Sequence, residues 1–193
     1  MKFTLKTVMT TLLLALPVFA SAHTGVSTAS GLSHGFGHPL GGLDHLLAML
    51  AVGLWAAQMG GRAIWAVPCS FVLVMIAGGV LGFTGVALPW VEQGIAVSVL
   101  LLGVLIAGAF RLPVLVSAAL VGVFALFHGH AHGAEMPMTA GAISYVSGFV
   151  AATALLHLAG IASGLLIHKT RHDLLSRVAG GAIAMVGVYL SIA

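Results

Sequence analysis

The residues of this chain that could do chemistry are concentrated in two short segments, each joined to a long apolar run. The first segment reads HPLGGLDHLLAML and contains His38, Asp44 and His45. The second reads FHGHAHGAE and contains three histidines and Glu135. Imidazole and carboxylate groups together suit borderline first-row divalent cations such as Ni, Zn and Co. The two segments therefore predict a binding site for such a metal ion.

In the second segment, the backbone conformation decides which side chains converge. A helical turn aligns His128, His132 and Glu135, because their spacing is i, i+4, i+7. An extended segment would instead place His128, His130 and His132 on one side. Both conformations present at least two imidazoles, so metal binding is favoured over a polar loop with incidental histidines.

In the first segment, Pro39 is predicted to begin a helix, since proline suits the first helical turn. His38 then lies at the mouth of the helix. His38 and His45 are seven residues apart and share a helical face, but an unbroken helix would separate them too far to hold one small ion easily. The two glycines between them are expected to unwind the helix locally, as in the broken helices that build ion sites in transporters. Whether both histidines hold one ion or bind it in succession is left open.

Four further side chains are secondary candidates for binding or relaying the ion. His157 stands alone in an apolar run, and a second ligand or proton relay is weighed equally against a histidine that is hydrogen-bonded across helices. His34 lies in a glycine-rich stretch and could collect metal at the entrance. His23 would present an imidazole and a free amine if the chain is cleaved before it. Met49, one turn after His45, is favoured as a packing residue over a thioether ligand.

The composition indicates that these groups lie in a lipid bilayer. Hydrophobic residues make up 60% of the 193 residues and charged residues only 6%. A soluble domain is about half apolar and about a quarter charged, so this chain cannot cover a surface with polar groups. The net charge of +3 does not indicate nucleic acid, because the basic residues are few and scattered and no aromatic stacking platform accompanies them.

The first 22 residues resemble a cleavable secretory signal, with Lys2 and Lys6, an apolar core at 8–16 and the small-x-small sequence ASA at 20–22. That core is shorter than the ~20 residues that a membrane span needs. The expected organisation is a signal peptide at 1–22 and a membrane domain at 23–193. Six apolar runs of spanning length follow, at about 39–60, 63–83, 91–110, 112–130, 139–168 and 174–191. The predicted fold is an all-α membrane protein, a six-transmembrane-helix bundle preceded by a cleavable signal peptide.

The charged residues predict the orientation of this bundle. Cleavage of the signal leaves the mature N-terminus in the periplasm, so the first, third and fifth connections are cytoplasmic. Those connections contain all five basic residues of the mature chain: Arg62, Arg111, Lys169, Arg171 and Arg177. The outer connections hold Glu92 and Glu135 and no Lys or Arg, as expected when positive residues stay inside. We expect a multi-pass protein of the bacterial inner membrane, with close helix contacts at the glycine pairs 78/82 and 160/164.

Two motifs resemble signatures of the HupE/UreJ nickel permeases: His-x5-Asp-His at 38–45 and Phe-His-Gly-x-Ala-His-Gly-x-Glu at 127–135. The resemblance extends over essentially the whole chain. It implies uptake of Ni(II), with Co(II) as the alternative cargo, that feeds hydrogenase or urease maturation. The positions that it implies as metal-binding are His38, Asp44, His45, His128, His132 and Glu135. His130 falls on a variable position of the second motif, and its role is left open.

The favoured function is therefore a secondary permease or facilitated channel, and not an enzyme or a holder of a prosthetic group. The sequence has no G-x4-G-K-[ST] motif, so the chain does not hydrolyse ATP by itself. Three alternatives are weighed against it. A membrane-embedded metal-dependent hydrolase would use Asp44 or Glu135 as acid or base, but His-Glu-x-x-His is absent. A haem carrier would need His45 and His157 facing each other across helices. A metal-binding accessory subunit would bind the ion without transporting it. Proton coupling and a homo-oligomeric state are left open.

Overall fold

The computed structural model describes residues 28–136, 141–170 and 172–192, and all regular structure in these residues is helical. The predicted signal peptide and His23 lie outside the described residues. The helices are α1 (Thr28–Gly41), α2 (Leu43–Met59), α3 (Ala63–Phe83), α4 (Val91–Ala107), α5 (Val114–Ala134), α6 (Ala142–Lys169) and α7 (Asp173–Ile192).

The first predicted span is a pair of helices instead of one. α1 and α2 meet at an angle of 83°, and the residue between them, Gly42, has an extended backbone with φ −104° and ψ 125°. The prediction that Pro39 begins a helix is wrong, because Pro39 lies inside α1, close to its end. A proline near the end of a helix removes a backbone hydrogen bond there, and the helix breaks three residues later. The predicted unwinding at the glycine pair is confirmed at Gly42.

The other five apolar runs each form one helix, α3 to α7, with ends that differ from the predicted ones by a few residues. α6 is continuous over 28 residues. By length and composition, α3, α5, α6 and α7 can each cross a membrane, and the bent α1–α2 pair makes a fifth span if it counts as one. α4 has 17 residues, at the lower limit of about 17–25 for a spanning helix. The described residues therefore form a multi-pass helical membrane protein.

Glycines set the distance between α3 and α5. Gly78 and Gly82 of α3 lie directly against the backbone of α5, and Gly129 and Gly133 of α5 lie directly against the backbone of α3. A β-carbon at any of these positions would overlap the facing backbone, so the close approach requires glycine. The predicted contact at the 78/82 pair is confirmed. Because Gly129 and Gly133 directly follow His128 and His132, this packing also fixes the rotation of α5 about its axis and with it the direction of those two histidines.

A second close contact joins α2 to α6. Gly53 of α2 lies against the backbone carbonyl of His157, and Gly160 of α6 lies against the backbone carbonyl of Leu50. Gly164 lies against the side chain of Ala57. The contact predicted at the 160/164 pair is confirmed, and it brings the side chain of His157 within reach of α2.

Hydrogen bonds between helix ends define the two ends of the bundle. The indole Nε1 of Trp55, late in α2, donates to the carbonyl of Phe110 after α4 at 2.9 Å. The Nε of Arg177, early in α7, donates to the carbonyl of Ala107 at 2.8 Å. The basic connections after α2 and α4 therefore lie at one end with the beginning of α7. The first turn of α2 and the last turn of α5, which carry the two metal-binding motifs, lie at the opposite end.

The interior and the outer surface are both apolar. Large side chains fill the centre and are fully buried, among them Met49, Trp55, Phe71 and Met75. Many other large apolar side chains are more than half exposed on the outer faces of the helices, including Trp65, Leu73, Leu115 and Ile143. Exposed apolar area on this scale is unusual for a soluble monomer and normal for a protein surrounded by lipid.

Candidate metal-binding site

The second motif is helical, since α5 continues to Ala134 and Glu135 follows directly. The side chains of His128 and His132 lie on the inner face of α5 and are almost completely buried, at 0% and 2% exposure. The imidazole of His130 points away from them, and its Nε2–H donates to the carbonyl of Val86 in the α3–α4 connection at 2.7 Å. The helical alternative is therefore the one observed, and His130 holds a neighbouring loop instead of joining the other two rings.

The bend at Gly42 brings both histidines of the first motif to one ring of the second. His38, at the end of α1, lies edge-on to His132 with ring centroids 4.6 Å apart. His45, at the beginning of α2, lies 4.3 Å from the same ring. On a straight helix the two side chains would be separated along the axis by about 10 Å, at 1.5 Å per residue. The break therefore lets two residues of one motif approach a single partner.

The remaining ring and the two carboxylates complete the cluster. His45 also lies edge-on to His128, with ring centroids 4.7 Å apart. The Nδ1 of His45 is 2.9 Å from Asp44 Oδ1, and the Nε2 of His38 is 2.9 Å from Glu135 Oε2. All six residues predicted as metal-binding thus lie in one contact group. We call it the histidine cluster: His38, Asp44, His45, His128, His132 and Glu135.

Hydrogen bonds determine which imidazole nitrogens of the histidine cluster carry a free lone pair. Asp44 can only accept, so Nδ1–H of His45 donates to it and Nε2 keeps its lone pair. Ser98 Oγ donates its one proton to the carbonyl of Ile95 at 2.7 Å, so Nε2–H of His128 donates to Ser98 at 2.9 Å and Nδ1 keeps its lone pair. Neither nitrogen of His132 has a hydrogen-bond partner in the part of the chain that the structure describes.

These free nitrogens are buried as well as unpaired. Within the described residues, His45 Nε2, His128 Nδ1 and both nitrogens of His132 have no hydrogen-bond partner. Buried polar atoms are nearly always hydrogen-bonded, and an unpaired one costs about 1–3 kcal/mol. A fixed N–H on one side of the ring and a bare lone pair on the other is also the arrangement of a histidine that binds a metal through its second nitrogen. The cluster therefore has the chemistry of a ligand set.

The coordination geometry is not preformed. Over the residues that the structure describes, no three His, Cys, Asp or Glu side chains are arranged so that they could hold a metal ion as they stand. The rings of the cluster pack edge to face, and the Nε2 of His38 is directed at Glu135. Binding an ion requires rotation of these side chains, and the partly exposed pair of His38 and Glu135, at 36% and 57%, is the least constrained part of the cluster.

The secondary candidates that the structure describes lie outside the histidine cluster. His157 lies deeper in the bundle, where its Nδ1–H donates to the carbonyl of Met49 at 2.8 Å and its ring is edge-on to Phe71. The side chain of Met49 is fully buried in the core. His34 is exposed on α1, outside the histidine cluster.

Several residues around the cluster were not anticipated from the sequence. Ser98 orients His128, and the only available signal was a polar residue inside an apolar run. The ring of Phe149 lies 4.0 Å from that of His132, and Phe71 lies 5.7 Å from His128, but an aromatic residue in a membrane helix carries no comparable signal. Glu92, expected only as an outer charge, lines the same crevice as Asp44.

Comparison with known proteins places the chain in a family. The family model described as HupE / UreJ protein matches residues 11–190. A relative described as Protein HupE, from Rhizobium leguminosarum bv. viciae, is 51% identical over 177 residues, which is 92% of each chain. The chain belongs to the HupE/UreJ family. No solved structure matches it. The histidine cluster of this HupE/UreJ protein is therefore assembled from the two motifs by which its sequence resembles the family.

Proposed function

We propose that this HupE/UreJ protein carries Ni(II), with Co(II) as the alternative cargo, across the bacterial inner membrane into the cytoplasm. It acts as a secondary permease or facilitated channel, and the imported metal supplies the maturation of nickel enzymes. The observation that carries the proposal is the histidine cluster itself. Four imidazoles and two carboxylates from α1, α2 and the end of α5 meet at one end of an apolar bundle. Three of the rings have buried nitrogens without hydrogen-bond partners among the described residues.

The cluster suits an ion that must leave again. Conduction requires a site that binds well enough for the ion to enter and weakly enough for it to depart. A closed, preformed set of ligands would hold a first-row cation too tightly. Rings that must first rotate weaken the net affinity, because the rearrangement costs free energy. The carboxylates of Asp44 and Glu135 supply negative charge, and the imidazoles of His45, His128 and His132 replace part of the hydration shell.

The proposed orientation follows from the two ends of the bundle. The histidine cluster faces the periplasm, and the opposite end, with the basic connections after α2 and α4, faces the cytoplasm in accordance with the positive-inside rule. The proposed arrangement has six crossings, with the bent α1–α2 pair as the first and α4 as the third. An inside-negative potential then favours inward movement by ~2.3 kcal/mol per elementary charge per 100 mV, so a divalent cation needs no ATP.

Uptake into proteoliposomes tests this proposal. Purified protein is reconstituted, and uptake of radioactive Ni(II), Co(II) and Zn(II) is compared with and without an inside-negative potential and a pH gradient. We expect Ni(II) uptake that depends on the protein and increases with the potential. Binding of Ni(II) without uptake above protein-free liposomes would contradict transport and favour an accessory metal-binding subunit.

Ser98 provides a test of how the cluster is oriented. Ser98→Ala removes the acceptor of His128 Nε2–H, so the ring loses the contact that directs Nδ1 into the cluster. Loss of such an outer partner typically lowers metal affinity or activity by 10–100-fold, and we expect Ni(II) uptake to fall by about 10-fold at equal expression. Ser163→Ala is the matched control, because Ser163 is exposed on α6 and donates only to the carbonyl of Ala159 in its own helix. Equal uptake by both variants would exclude this role for Ser98.

A further inference from the structure

His157 combines a structural hydrogen bond with a nitrogen that the bond does not use. Its Nδ1–H donates to the carbonyl of Met49, which fixes the tautomer and leaves the lone pair on Nε2. The side chain is 2% exposed, and Nε2 is buried without a hydrogen-bond partner among the described residues. A histidine needed only to join α6 to α2 would be satisfied by one N–H. The hydrogen bond to Met49 therefore leaves Nε2 without a part in joining α6 to α2.

The surroundings of His157 contain soft and polar groups from two helices. Phe71 and Met75 are one turn apart on α3, and Thr153 and His157 are one turn apart on α6. The ring of Phe71 is edge-on to His157 at 5.1 Å, and Thr153 Oγ1 donates to Met75 Sδ at 3.6 Å. Imidazole nitrogen suits Ni and Co, and a thioether is a soft ligand of the kind that late first-row metals accept. These groups lie in the interior, away from the carboxylates of the histidine cluster.

Two features connect the surroundings of His157 to the histidine cluster. Phe71 touches both His157 and His128, with centroids 5.1 Å and 5.7 Å away. In addition, a half-open, apolar pocket of about 290 Å³ between α3, α5 and α6 has His132, Phe149 and Met75 in its wall. The wall of this pocket therefore includes both a ring of the histidine cluster and Met75, whose sulfur accepts from Thr153, one turn before His157.

We propose that His157 forms a second, deeper binding site for the transported cation, with Nε2 as its ligand and Met75 Sδ beside it. This inference rests on the proposed function and specifies the path beyond the histidine cluster. An ion released by the histidine cluster passes to His157 before it reaches the cytoplasmic half of the bundle. Two sites in succession also lower the barrier to leaving the inner site, because an incoming ion at the outer site repels the one ahead of it.

His157→Asn separates the ligand from the structural role. The amide nitrogen of asparagine lies at the same position along the side chain as Nδ1 of histidine, so it can donate to the carbonyl of Met49, but it has no counterpart of Nε2. We expect wild-type protein in detergent to bind about two Ni(II) ions per chain at equilibrium, and His157→Asn to bind about one. Ni(II) uptake by His157→Asn should fall by about 10-fold or more, with an unchanged melting temperature. Ser163→Ala, on the same helix, is the control.

The outcomes distinguish this inference from the proposed function. Wild-type uptake and unchanged stoichiometry in His157→Asn would overturn the inner site while leaving transport intact. Absence of uptake by the wild type would instead contradict the proposed function. If His157→Asn does not fold, the wild-type stoichiometry decides, because a single bound Ni(II) ion contradicts a second site and two bound ions support it.

Discussion

Replacing His132 with alanine is expected to abolish Ni(II) uptake, with a loss of about 100-fold or more, at the upper end of what the loss of a supporting partner causes. His132 is the ring that both histidines of the first motif contact, at 4.6 Å and 4.3 Å between centroids. Its removal therefore disconnects His38 from His45. The protein should still fold, because the imidazole of His132 makes no hydrogen bond to any residue that the structure describes. Radioactive Ni(II) uptake at equal membrane expression measures the effect.

His34→Ala is the matched control for this loss. His34 is also a histidine near the predicted entrance, but its side chain is exposed on α1 and lies outside the histidine cluster. We expect its uptake to equal that of the wild type. If His132→Ala transported Ni(II) at the wild-type rate, or if His34→Ala lost as much activity, the cluster would not be the binding site.

The second large effect is expected at the bend between α1 and α2. A β-carbon at Gly42 would lie 2.6 Å from Asp44 Oδ1 and 3.3 Å from His45 Nδ1, so Gly42→Ala must displace the carboxylate that orients His45. Alanine also favours a continuous helix over glycine by about 1 kcal/mol, which would straighten the bend and withdraw His38 from His132. The backbone at Gly42 has a negative φ that any residue can adopt. We therefore expect a folded protein whose Ni(II) uptake falls by about 10–100-fold.

The neighbouring glycine supplies the control for this variant. A β-carbon at Gly41 would meet nothing within 4 Å, so Gly41→Ala should retain most of the uptake. The two variants add the same methyl group at adjacent positions. Equal uptake in the two variants would show that the geometry at Gly42 does not determine transport.

The sequence predicted the residues of the cluster better than their mutual arrangement. Residue types and spacing marked out the two segments, since ionisable groups at membrane depth are expensive and stand out against apolar runs. The family resemblance then selected His38, Asp44, His45, His128, His132 and Glu135 within them. The glycine pairs predicted the helix contacts for a different reason: small residues at a spacing of four lie on one helix face and let another helix approach closely. These are local signals, and the structure confirms the contacts that they predicted at Gly78, Gly82, Gly160 and Gly164.

Features that depend on contacts between distant segments were not predictable in this way. Pro39 fits the first turn of a helix by itself, but α1 begins earlier because its residues pack along α6, with Gly35 against the backbone of Tyr145. The partner of His128 is Ser98, 30 residues earlier in the chain, and the partner of His157 is a backbone carbonyl of α2. Which nitrogen of a histidine remains free depends on such partners, and residue spacing does not contain them.

X-ray absorption at the nickel edge shows which side chains of the histidine cluster bind the ion. Imidazole ligands give a characteristic multiple-scattering pattern, and His157→Asn protein loaded with one equivalent of Ni(II) confines the measurement to the histidine cluster. We expect about three imidazoles on the bound nickel, from His45, His128 and His132, and one fewer when His132→Ala is added. A spectrum with oxygen ligands only, unchanged by His132→Ala, would contradict the assignment of the histidine cluster as the transport site.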